Sequence, residues 1–85
     1  MFNSYKIYED ALNNYTDITW IYNSDSKIYE STSYIEIYEI HETITGIFTL
    51  VQYIRDINTR TFNKVNILTD TTLDVIINKI NESRG

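Results

Sequence analysis

The chain has 85 residues, a net charge of −5 and a pI near 4.6, with 42% hydrophobic residues and no cysteine. That composition excludes a disordered polar chain, a disulfide scaffold and a thiolate metal site. The low pI also argues against the broad basic face used in direct nucleic-acid binding.

The first helical pattern spans about Asn3 to Tyr15, where Tyr8, Ala11, Leu12 and Tyr15 recur at i, i+3, i+4 and i+7. Thr16 to Tyr22 alternates, with Ile18, Trp20 and Tyr22 on one side, and predicts a strand. Asn23-Ser24-Asp25-Ser26 reads as a turn, and Lys27–Glu30 as the return strand of a hairpin. Tyr34 to Glu42 is β-rich. One side carries Ile35, Ile37, Glu39 and His41, and the other Tyr34, Glu36, Tyr38, Ile40 and Glu42. Thr43–Gly46 is the next turn, with Gly46 free to take positive φ.

Ile47 to Arg55 is the most apolar strand and is apolar on both sides at its start, which predicts a central position covered on at least one side. After a polar turn over Asp56–Thr61, Phe62 to Leu68 forms another strand, with Val65 and Ile67 on one side and Lys64 and Asn66 on the other. The C-terminal helix carries Leu73, Ile76, Ile77 and Ile80 as a stripe, and Thr71 with Asp74 has capping-box spacing. These elements predict an α+β fold in a single domain over residues 1–85. The expected architecture is an antiparallel β-meander of three to five strands flanked by an N-terminal and a C-terminal helix packed on one face.

Catalytic chemistry finds little material. His41 is the one histidine and there is no cysteine, so a Cys–His pair is excluded, and there is neither a GxGxxG nor a GKS/GKT phosphate loop. Glu36, Glu39, Glu42 and His41 lack the loop spacing of a calcium site. The chain is therefore expected to be no enzyme and to need no cofactor or metal. No apolar run approaches the ~18 residues of a membrane span. Met1–Asp10 lacks the basic patch and apolar core of a signal peptide. A cytoplasmic protein is expected, in the host cytoplasm if the source is viral.

Charge is the main functional signal. Residues 1–54 hold eight acids against Lys6 and Lys27, whereas residues 55–85 hold five bases against four acids. The acids intersperse with tyrosine, a residue enriched at binding surfaces. Candidate partner-binding residues are Asp25, Glu30, Tyr34, Glu36, Tyr38, Glu39 and Glu42, although Glu39 points away from Glu36 and Glu42 on a regular strand. Isoleucine, asparagine and tyrosine, all with A/T-rich codons, dominate the composition and suggest an AT-rich source genome.

In size, charge and composition the chain resembles phage-encoded anti-defence proteins, anti-CRISPR proteins among them. The resemblance implies an inhibitor that blocks a nucleic-acid-binding host protein, such as a nuclease or CRISPR effector, by presenting acids to its basic surface. It implies no direct contact with nucleic acid or membrane. The alternative is a non-catalytic, homodimeric structural or regulatory domain.

Overall fold

Helix α1 (Ser4–Tyr15) forms over the predicted stripe, and Leu12 is fully buried with Tyr8 and Ala11 packed against the same core. The stripe stops there: Tyr15 is 67% exposed. The computed structural model describes residues 4–32 and 37–84. Beyond α1 run β1 (Trp20–Asn23), β2 (Ile28–Ser31), β3 (Ile37–Ile44), β4 (Ile47–Asp56), β5 (Thr61–Thr71) and α2 (Leu73–Arg84). The five strands pair antiparallel in chain order, as the meander predicted.

The predicted first strand starts late. Thr16 is buried and its hydroxyl donates to Leu12 O (2.6 Å), while accepting from Ile18 N–H (3.3 Å) and from the indole Nε1–H of Trp20 (2.9 Å). This knot of bonds bends Thr16–Ile18 around one hydroxyl, so pairing begins only at Trp20.

With no proline and two glycines in the chain, the β1–β2 and β4–β5 hairpins turn on other residues. In the β1–β2 turn Asn23 Oδ1 accepts from the amides of Asp25 and Ser26, and Lys27 closes the loop at φ 60°. Asp56 Oδ1 does the same for Asn58 and Thr59, and Arg60 takes φ 57°. Both are Asx turns followed by a left-handed residue. Gly46, at φ 80°, makes the β3–β4 turn.

Both helices cover one side of the sheet. Trp20, Tyr29, Tyr38, Ile40, Phe48 and Leu50 point to that side and join Leu12, Leu73, Ile76, Ile77 and Ile80 in one core. The α2 stripe is thus buried as the spacing requires. The helix starts one residue later than the predicted Thr71–Asp74 capping box requires. Thr71 ends β5, and it is Thr72 whose carbonyl accepts the first helical bond, from Ile76 N–H (3.3 Å). No bond between Thr71 and Asp74 occurs among the described residues.

Strand β5 carries two bulges, seen as register shifts between Phe48↔Thr71, Leu50↔Leu68 and Val51↔Asn66. They bring Ile67 and Leu68 onto the core, whereas Val65 stays 38% exposed beyond it. No helix among the described residues is long and apolar enough to cross a membrane.

Candidate functional site

Among the described residues the other side of the sheet carries no helix. Across it the register builds continuous rows of side chains: Ile21, Glu30, Glu39, Val51 and Asn66 in one, and Ile37, Tyr53 and Lys64 in the next. Ile21 is 56% exposed, Ile28 and Ile37 are half-buried, and Val51 is closed off among its neighbours. Among the described residues no element packs over this face.

Two acids meet at its centre. Glu30 on β2 stands directly opposite Glu39 on β3. Side chains so placed have Cβ atoms ~4.5–5.5 Å apart, and like charges there oppose folding. The Glu39 carboxylate is held on both oxygens. Oε1 accepts from His41 Nε2–H (3.0 Å), and Oε2 accepts from the Tyr53 hydroxyl (3.0 Å). An ionised carboxylate only accepts, so His41 Nε2 carries the hydrogen of this bond. Burial raises the Tyr53 phenol above the usual tyrosine range, and the hydrogen bond to Glu39 and the charges of Glu39 and Glu30 push the same way.

The structure divides the sequence-derived candidates. Glu30 and Glu39 come together on the open face. Tyr38 does not belong to a surface: it is 4% exposed, lies on the helix side and packs near Trp20 at a ring separation of 6.2 Å. Its place in the core follows from strand alternation, since Tyr38 and Ile40 share a side. Glu42 is exposed on that helix side, where its carboxylate accepts Gly46 N–H (2.9 Å) and serves the β3–β4 turn. Asp25 is exposed at the β1–β2 turn, away from the paired acids. Tyr34 and Glu36 lie outside the described residues.

Two contributors escaped the sequence reading, Ile21 and Tyr53, whereas His41 meets Glu39 on the side that strand alternation gives both. Several other tyrosines form an aromatic layer, while Tyr15 is exposed. Tyr5 stacks on Tyr22 (4.6 Å), Tyr22 lies against Tyr29 (4.7 Å), and Tyr8 meets Phe48 edge-on (5.0 Å). This aromatic layer joins α1 to the sheet.

No three His, Asp or Glu side chains gather to hold a metal among the described residues. A groove of about 420 Å³ runs along α2, lined by Tyr15, Asp74, Ile77, Asn78 and Asn81. Its one acid and two amides make no acid–base or nucleophile–base pair. No protein-family model, curated protein or solved structure matches the chain.

Proposed function

We propose that the chain is a non-catalytic protein-binding module that takes a cationic protein surface on its helix-free sheet face. In its specific form the module blocks a nucleic-acid-binding protein by occupying the basic surface where phosphates would sit. The observation that carries this reading is the Glu30–Glu39 pair, opposed across β2 and β3 inside an apolar frame of Ile21, Ile37 and Val51. An arrangement that repels itself in the free protein is relieved when an external base sits between the carboxylates. Tyr53 and His41 hold Glu39 in place in advance, which reduces the ordering cost of binding. Exposed Ile21 and half-buried Ile37 supply contact area that does not depend on charge, over a floor that includes buried Val51.

Only some of the acids belong to this face. Glu9 and Asp10 lie on α1 beside Lys6, whose Nζ is 3.8 Å from Glu9 and 3.4 Å from Asp10. Glu42 and Asp25 serve turns or stand apart. What faces a partner is the pair and its surround.

An arginine-rich peptide, titrated into isotopically labelled protein, tests the site. Amide shifts are expected to centre on Ile21, Glu30, Glu39, His41 and Tyr53 and to fade with added salt. Shifts confined to Asp25, Glu42 and Asp74, or unchanged in Glu30→Gln/Glu39→Gln, would refute the assignment.

A further inference from the structure

The two edges of the sheet are finished differently. At β1 the outward backbone groups are closed by α1. Asn13 Oδ1 accepts from Trp20 N–H (2.6 Å), Asn13 Nδ2 donates to Trp20 O (3.2 Å), and Glu9 Oε2 accepts from Tyr22 N–H (2.8 Å). At β5 nothing comparable occurs. Thr61–Asn66 are all exposed, and among the described residues no side chain or other element bonds to their backbone from the outer side. The stretch includes Phe62 (52% exposed) and Val65 (38% exposed), both strand-favouring. Unpaired edges template pairing with another strand, and on this one Lys64 is the single charged residue between Thr61 and Asn66.

We propose that the outer edge of β5 pairs antiparallel with the same edge of a second copy of this chain, with Asn63 of each copy opposite the other on the two-fold axis. The register follows from symmetry and charge. A two-fold perpendicular to the sheet reverses the strand but keeps every side chain on its own side, so opposed residues share a side. The axis therefore passes through a residue. The regular stretch ends at left-handed Arg60 on one side and at the bulge after Asn66 on the other, which leaves the central positions Asn63 and Lys64. An axis at Lys64 sets two ammonium groups face to face. An axis at Phe62 sets Arg60 against Lys64 twice. An axis at Asn63 sets Phe62 against the partner's Lys64, Thr61 against Val65, and amide against amide. Each of those contacts is favourable.

The pairing continues the sheet across both copies and leaves both helix-free faces on the same side. It does not rest on the binding role proposed above, because neither Glu30 nor Glu39 lies at this edge.

Sedimentation equilibrium of the wild-type protein is expected to reveal a reversible dimer. A monomer at every concentration up to ~1 mM, the weak end of measurable affinity, overturns the proposal. The chain has no cysteine, so single cysteines report the register directly. In the proposed register two Asn63→Cys positions are ~4.5–5.5 Å apart between Cα atoms, within disulfide reach. Two Lys64→Cys positions are offset by a further two residues and exceed the ~7 Å limit. Mild oxidation should therefore link Asn63→Cys at least ~10-fold faster than Lys64→Cys; equal or reversed rates overturn the register. Asn63→Lys, with its melting temperature checked against wild type, should weaken the dimer at least ~10-fold by placing like charges together. A dimer that survives Asn63→Lys but is broken by Glu39→Lys would seat the second copy on the sheet face and overturn the edge pairing.

Discussion

Tyr29→Phe should stabilise the protein. The Tyr29 side chain is fully buried, ringed by Tyr8, Tyr22 and Phe48, and its hydroxyl has no hydrogen-bond partner among the described residues. A buried hydroxyl left unpaired costs ~1–3 kcal/mol relative to its hydrated state. Removing one oxygen leaves a void of ~10 Å³, worth only ~0.2 kcal/mol at the usual cavity coefficient. The ring and its aromatic contacts stay. The net expectation is a gain of ~1–2 kcal/mol, or ~5–10 °C in Tm for a domain of this size. The same site has an alkaline signature. Burial raises the Tyr29 phenol far above its normal range, and the charge of Glu42, the neighbouring Tyr22 and Tyr8, and the charge of Glu9 add to the effect. The unfolded tyrosine loses its proton near pH ~10 while the folded one holds it, so stability present at lower pH is lost as pH rises above ~10. Tyr29→Phe removes that loss. Urea unfolding at pH 7 and pH 10.5, as assay conditions, measures both effects. A variant less stable than wild type at pH 7 would refute the reasoning, since it would mean the hydroxyl holds a bond, such as one to an internal water.

Asn13→Ala should cost ~1–2 kcal/mol in urea unfolding, because it leaves both Trp20 backbone groups at the β1 edge without their partner. Lys27→Gly should raise stability by up to ~1 kcal/mol by relieving a left-handed residue that carries a side chain, and calorimetry should show it as a higher Tm. Tyr53→Phe removes the donor to Glu39, so a loss of ~0.5–1.5 kcal/mol is expected at pH 7. Because the folded Tyr53 phenol is raised, the variant should also lose less stability than wild type as pH climbs past ~10, measurable by the same unfolding series.

How far the chain could be read in advance depended on the range of the signal. The α2 stripe and the strong β4 pattern are local periodicities, and both elements formed where the spacing placed them. Asn23 and Asp56 were legible as turn residues because an Asx turn needs only its own next few amides. The late start of β1 was not, because it depends on Thr16 bonding at once to Leu12, Ile18 and Trp20.

The candidate site was half legible for a related reason. Glu30 and Glu39 were visible as acids, but their meeting depends on the β2–β3 register, and the reach of Glu39 to Tyr53 on the β3–β4 register. Counting outward from the Thr45–Gly46 turn sets Ile44 against Ile47 and would then set Glu39 against Gln52. The irregularity between Glu42 and Ile44 shifts the pairing by one, so Glu39 faces Val51 and its side chain reaches Tyr53. One extra residue in a strand exchanges the faces of everything beyond it. Tyr38, read as a surface tyrosine, lost its place by the companion rule that alternate residues share a side.

The opposed acids offer a way to separate a functional face from ordinary surface charge. If Glu30 and Glu39 are retained for a partner, neutralising one should help the free protein and harm the complex. Glu30→Gln is the better choice, because Glu39 also accepts bonds from His41 and Tyr53 and its loss mixes two effects. Relief of a directly opposed like-charge pair is worth ~0.2–1 kcal/mol, greater at low salt where screening is weak. Glu30→Gln should therefore unfold at higher urea than wild type, with the difference shrinking as salt is added. The same variant should bind an arginine-rich peptide more weakly, with a shallower salt dependence. Gain in one assay and loss in the other is what a binding site maintained against stability produces. A variant less stable than wild type would give Glu30 a structural role in the sheet. One that binds equally well would remove it from the site.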